Sequence, residues 1–437
     1  MNRFRFFEGC FLALFTSSIF LAPNLLSRIF PSIKLIFFIM LFLSLLFFFN
    51  GNAKSFKPYL YVKYVKELFI GIIILNIGRI IASFIGIINN EGISLYILLN
   101  RIAIFVFFFT ILLFANTNFV IKSMRIYSNL LFCFGFSALL LLMLIQITNI
   151  QPIGKVVFEL TSTYERYYNN YGLGLVLPGA NVLFFPRSLF FYDEPGTFAR
   201  MLIPAILWIL IYEKKFQQQF QLFILILTIF FTFSVGGWLT ICIVYFCIFF
   251  KFKFKHKKIN FNRKYIVNGV KLITIFCIII VTISTFFLKK IDYNWILNYF
   301  FDKFYTSNSS GGARLLDVIN FIELISKHPA GLGANIEILG VSGSVGIFNT
   351  MLETGFIGIC GSLMIYTSVL AMIIRIKNIY YSNKVLISLS AIVLSDVIMS
   401  LQRAEMFHIY SCVCIFALFV KAYVDHEQIY KIQNKKK

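Results

Sequence analysis

Charge is what this chain has least of. Asp, Glu, Lys and Arg make up 13% of its 437 residues, about half the share found in a water-soluble domain, which excludes an ordinary soluble fold. Other shortages narrow the field. The eight cysteines (Cys10, Cys133, Cys242, Cys247, Cys277, Cys360, Cys412 and Cys414) fall inside or beside apolar runs. None has zinc-site spacing and none sits in a large loop that a disulfide would staple, so they read as small core residues. No inverted repeat of the transporter kind is evident. No cluster of acids lies at mid-span; Asp396 is the one exception, and it reads as a partner for a neighbouring serine or backbone group. The start Met1-Asn2-Arg3-Phe4-Arg5 is like a signal-peptide opening. Asn24-Leu25-Leu26-Ser27 offers no small-residue cleavage site, so a retained first helix is expected.

What is present is grease. Hydrophobic residues supply 59% of the chain, 55 of them phenylalanine, and apolar runs long enough to cross ~30 Å of hydrocarbon recur throughout. The expected fold is an all-α polytopic integral membrane protein forming a single membrane domain over 1–437. About twelve spans are expected, near 8–27, 32–49, 66–88, 94–115, 127–148, 197–212, 217–233, 237–250, 265–287, 346–373, 385–401 and 407–424. The seventh and eighth are split only by Ser234-Val235-Gly236-Gly237.

The formal net charge of +22 would point to nucleic acid in a soluble protein. Here the position of the cations matters more than their sum, because cytoplasmic loops collect lysine and arginine. Segments 1–7, 50–65, 116–126, 213–216, 251–264, 374–384 and 425–437 alternate correctly for the inside. They hold Arg3 and Arg5; Lys54, Lys57 and Lys63; Lys122 and Arg125; Lys214 and Lys215; seven cations from Lys251 to Lys264; Arg375, Lys377 and Lys384; and the terminal lysines. Both termini are then cytoplasmic. The long polar stretches 149–196 and 288–345 become two large outer loops. The 251–264 run reads as a topological anchor, and no nucleic-acid partner is expected.

The most informative segment is Arg187-Ser-Leu-Phe-Phe-Tyr-Asp-Glu-Pro-Gly-Thr-Phe-Ala-Arg200. Charge is costly beside hydrocarbon, so an ionised cluster bordering a span is a functional-site candidate. Asp193-Glu194-Pro195-Gly196-Thr197 reads as a helix start with proline in the first turn. Asp193 fits a capping role, and Glu194 would sit well against the helix dipole. Capping leaves Arg187 and Arg200, which bracket the turn, without a role. Guanidinium groups beside exposed N–H groups suit phosphate.

In the second loop, Thr306 to Gly312 forms a polar linker, followed by an amphipathic stretch 314–327 that ends at His328-Pro329-Ala330-Gly331-Leu332-Gly333. Leu315, Ile319, Ile322 and Ser326 share one face, as expected of a helix lying on the outer membrane surface. Arg79, Arg101 and Arg403 fall at the same depth, which gathers six arginines with Arg187, Arg200 and Arg314 on one leaflet. Arginine suits bidentate grip on phosphate and stays charged where water is scarce.

At this point the chain resembles the O-antigen polymerase and O-antigen ligase family of bacterial envelope glycosyltransferases. The matching elements are Arg187…Glu194-Pro195, Thr232-Phe233-Ser234-Val235-Gly236-Gly237, and Gly312-Ala313-Arg314 leading to His328-Pro329…Gly331-Leu332-Gly333. Asn349…Leu352-Glu353…Gly355…Gly358 then follows in order. The resemblance implies a C-type-glycosyltransferase-like membrane enzyme of the bacterial cytoplasmic membrane, working on the outer face without metal or other cofactor. It moves a glycan from undecaprenyl diphosphate to a sugar hydroxyl. Chain-length regulator and flippase proteins are the partners the family implies, along with the lipid bilayer and the undecaprenyl-diphosphate-linked oligosaccharide. The ligase branch carries a histidine where this chain has Phe348, which favours polymerase. Read together, Arg187, Arg314 and Glu194 are the expected catalytic set. Arg200, Arg79, Arg101, Arg403, Asp193, Asn349 and Glu353 are expected to bind substrate. Glu194 is the first choice for general base, with Asp193 and Glu353 behind it and His328 as the alternative.

Overall fold

A computed structural model describes residues 9, 12–19, 57–88, 95–114, 117–148, 176–182, 185–188, 195–213, 215–232, 234–254, 321–333, 346–376, 384–401 and 409–435. The expected spans 32–49 and 265–287 lie outside these residues, as do most of 149–196 and 288–345. The described chain is helical apart from one short β-ladder. Three of its helices are long and apolar enough to cross a membrane, over Lys63–Ile88, Phe119–Leu142 and Phe348–Arg375. The chain forms two compact units: residues 1–22, 32–123 and 302–437 make the first, 23–31 and 124–301 the second.

The first unit contains α1 (12–19), α2 (Lys57–Leu60), α3 (Lys63–Ile88), α4 (Leu95–Phe114), the start of α5 (Thr117–Thr148), α9 (321–327), α10 (Gly346–Arg375), α11 (Lys384–Ser400) and α12 (Tyr410–Lys435). Its organising pair is α3 and α10. One stripe of α3 turns Ile70, Ile73, Ile77, Phe84 and Ile87 outward, at the three- and four-residue spacing of a helix face. The opposite stripe buries Gly71, Leu75, Gly78, Arg79, Ala82 and Gly86. An apolar outside over a polar, glycine-lined inside suits contact with lipid. In lipid, helices associate through close packing rather than expulsion of water, so small residues collect at the contact. A β-carbon placed on Gly78 would lie 2.8 Å from the Thr354 carbonyl oxygen, and one on Gly361 2.6 Å from the Leu75 nitrogen. Backbone therefore meets backbone along this seam.

Aromatic rings join α4 to α12, with Phe107 edge-on to Tyr410 at 5.4 Å and Phe108 stacked on Phe416 at 5.4 Å. The Tyr59 hydroxyl of α2 donates to the Leu112 carbonyl at 2.9 Å. Burial, and to a lesser degree the charge of Asp425, pushes this phenol above its ordinary range, so it stays a donor.

The second unit holds β1 (Val176–Val182), β2 (Phe185–Ser188), α6 (Pro195–Ile211), α7 (Phe216–Phe231), α8 (Val235–Phe254) and the rest of α5. Helix α6 begins at Pro195, where the missing proline N–H leaves no helical bond unmade. Tyr127 anchors α5 to it by donating to the Met201 carbonyl at 2.7 Å. Residues 232–234 alone separate α7 from α8. The Trp238 indole N–H donates back to the Ile229 carbonyl at 3.0 Å, and its ring stacks on Phe230 at 5.1 Å.

Several expectations need correction. Segment 116–126, read as a loop, is helical from Thr117 onward. Its charges are tolerated because they lie at the helix end, where Arg125 Nε meets Glu213 Oε1 at 2.8 Å. The tail after 424 continues as helix to Lys435. The stretch before Arg187 carries an antiparallel ladder with Val176 opposite Ser188 and Leu177 opposite Arg187. In α9 the inward face is Phe321, Leu324 and Ile325, which pack with Leu332 and Leu352, while Ile322 points out. Cys133, Cys242, Cys247 and Cys360 are exposed rather than core; Cys412 and Cys414 are buried.

Candidate functional site

The site in the first unit is built around a break in α10. Gly355 takes φ +63°, ψ −164° inside the helix, a conformation that a side chain would strain. An unbroken helix would bond the Leu352 and Glu353 carbonyls to N–H groups four residues on. Here the 329–333 strap satisfies them instead. Leu332 N donates to Leu352 O at 2.8 Å, Gly333 N to Glu353 O at 3.1 Å, and Phe356 N to Pro329 O at 3.1 Å. Gly331, at φ +93°, fits against Gly355 so closely that a β-carbon on it would lie 2.5 Å from the Gly355 nitrogen. A β-carbon on Gly355 would overlap the Ala330 carbonyl group. Two glycines in contact are thus a condition of the break.

Glu353 stands two residues before the break and is 2% exposed. Arg79 reaches it from α3, with Nε 3.0 Å from Oε1 and Nη2 3.5 Å from Oε2. Arg79 is itself fully buried, and its guanidinium lies 5.6 Å from the centre of the Phe105 ring. Arg101 of α4 approaches the same carboxylate, its Nε 3.9 Å from Oε1, and keeps 19% of its side chain exposed. Two guanidinium groups thus approach one carboxylate, with Arg79 and Glu353 closed off from solvent and Arg101 largely so. In such a setting a guanidinium interacts strongly with an arriving anion.

Asn349 is half-buried one turn before Glu353. Phe348 stacks on Phe321 at 4.8 Å and so ties the start of α10 to α9. His328 is exposed and closes α9 by donating its backbone N–H to Leu324 O at 2.9 Å.

The structure therefore brings three of the expected residues together: Arg79, Arg101 and Glu353. In the second unit Arg200 is 2% exposed, in the second turn of α6 among buried Phe198, Ala199 and Met201. Arg187 is placed by its backbone in β2. Asp193, Glu194, Arg314 and Arg403 lie outside the described residues. Sequence reasoning missed the strap and the break. Their signal was present in Gly331, Gly333 and Gly355, all with positive φ. Phe105 beneath Arg79 had no signal, being one phenylalanine among many.

No protein-family model matches the chain, and a search of curated proteins finds no relative.

Proposed function

We propose that this chain is a polymerase of a bacterial surface polysaccharide (O-antigen, capsule or exopolysaccharide), working at the outer face of the cytoplasmic membrane. It transfers a growing glycan from undecaprenyl diphosphate to a sugar hydroxyl of a lipid-linked repeat unit. The acceptor oxygen bonds to the anomeric carbon, and the bond from that carbon to the diphosphate oxygen breaks. The electron pair leaves on the lipid diphosphate, and the hydroxyl proton passes to a base. Positive charge held near the leaving oxygen lowers the barrier to this step.

The observation that supports the reading best is the Arg79–Glu353–Arg101 cluster. It gathers two guanidinium groups among apolar helices, where a lipid-borne anion would travel. In this role Arg101 faces the diphosphate, and Glu353 fixes Arg79 rather than taking a proton, since its carboxylate is already engaged. Glu194, with Asp193 behind it, remains the base favoured by sequence. Phe348, which stacks on Phe321, stands where the ligase branch would place a histidine.

A second reading has its own observation. A helix broken by glycine, with irregular backbone filling the gap, is a device of membrane transporters, and α10 has this form. A flippase for lipid-linked oligosaccharide would use it. The glycan profile of a deletion strain separates the two. Polymerase loss leaves single-unit caps on the surface, whereas flippase loss leaves no surface glycan and traps lipid-linked units inside. A normal long-chain profile would sink both.

A further inference from the structure

In the second unit, α5 and α7 run side by side in parallel. The pairs are in ascending order: Gln221 Nε2 donates to Asn129 Oδ1 at 3.1 Å, and further along Gly135 sits against Thr228, whose Oγ1 would be 2.8 Å from a β-carbon there. Between the two helices lies an open cavity of about 350 Å³. One end is polar, lined by Arg125, Asn129, Gln217, Gln218 and Gln221. The other passes to Phe132, which meets Phe220 edge-on at 6.2 Å and Phe136 at 6.1 Å. Arg125 to Phe136 spans about 16 Å at the helical rise.

Three facts bear on what fills this groove. First, its carboxamides are under-used. The Asn129–Gln221 bond consumes one donor and one acceptor, and each side chain retains further hydrogen-bonding capacity. Asn129 and Gln217 are exposed on a helix pair whose neighbouring surface is phenylalanine. At a helix end bordering water, such amides are open to the polar atoms of a headgroup. Second, cations outnumber acids here among the described residues. Arg125 uses Nε on Glu213, a carboxylate only 7% exposed. Half of the arginine side chain is exposed, and the rest of its guanidinium remains available. Exposed Lys215 stands at the head of α7, and among the described residues no acid lines the cavity. Third, polar and apolar ends follow one another along the helix axis, as headgroup and acyl chain do in a lipid.

We infer that this groove binds an anionic glycerophospholipid, its phosphate held by Arg125 and the Asn129, Gln217 and Gln221 amides, and its acyl chain lying over Phe132, Phe136 and Phe220. The site is separate from the Arg79–Glu353 pair and does not depend on the transfer activity proposed above.

The test is native mass spectrometry of the full chain in detergent, equilibrated with equal amounts of phosphatidylglycerol and phosphatidylcholine. A parallel sample receives inorganic phosphate without lipid. One phosphatidylglycerol should be retained per chain, preferred about 5-fold, the effect of one cation near an anionic headgroup. Asn129→Leu with Gln221→Leu should abolish that preference without harming insertion into lipid. Gln217→Glu, an exposed single change, should weaken it by repulsion. Equal retention of both lipids by the wild type would overturn the assignment, as would undiminished phosphatidylglycerol in the variants. Phosphate binding as tightly as the lipid would also overturn it, since the site would then recognise a free anion.

Discussion

Arg79 on α3 and Glu353 on α10 are 274 residues apart in sequence and 3.0 Å apart in space, both closed off from solvent. A buried ion pair contributes little beyond what an apolar pair would, but breaking it leaves a lone buried charge. Glu353→Ala should therefore lower stability by about 3–5 kcal/mol, read as a fall in thermal midpoint in detergent. Arg79→Met with Glu353→Leu should recover most of that loss and yet remain inactive. Recovery of activity in the double variant would show that the pair is only a structural tie.

The strap makes a second prediction. Gly355→Ala forces a side chain into the Ala330 carbonyl group and into a left-handed conformation. Such strain costs about 1–3 kcal/mol before any overlap is counted. The strap should detach, exposing 328–333 to protease while α3 stays protected. An uncut strap in that variant would mean that it does not depend on the glycine contact.

Much of this architecture could be read from the chain, and the parts that could not share a cause. Apolar runs located α3, α4, α6 and α10 because span length is fixed by membrane thickness. Proline placed the start of α6. The start of α5 was misread because Lys122 and Arg125 look like loop residues, although a helix end bordering water accepts them. The break at Gly355 was invisible because a glycine within an apolar run looks like any packing glycine. Only its φ and the Ala330 contact distinguish it. Arg79, Arg101 and Glu353 were each chosen as charges out of place. That they converge on one carboxylate depends on tertiary packing, which no local pattern encodes. The reading of Arg187 and Arg314 as groups that hold the diphosphate, and of Glu194 as the base, rests on the sequence alone.

The glycine seam should be as intolerant as the strap. Gly78→Val would push the α3 backbone away from Thr354 and Gly358, and overpacking of this kind costs about 1–3 kcal/mol or more. Arg79 would lose reach to Glu353 at the same time. The variant should show a lowered thermal midpoint together with lost activity. An unaltered midpoint would indicate that the seam can open without consequence.

In the second unit, Trp238→Phe keeps the stack on Phe230 but removes the N–H bonded to Ile229 O. A net loss of about 1 kcal/mol is expected. A variant as stable as the wild type would mean that the carbonyl finds another donor.

The most direct measurement follows Arg101, the least buried member of the cluster. Purified protein in detergent is given lipid-diphosphate-linked repeat units, and the products are separated by length. The wild type should build a polymer ladder. Arg101→Gln, with its thermal midpoint unchanged, should slow the ladder by about 100-fold, in line with loss of one charge-stabilising donor. Units left unchanged by the wild type, or a ladder from Arg101→Gln as fast as the wild type's, would contradict the proposal that these arginines hold the departing diphosphate.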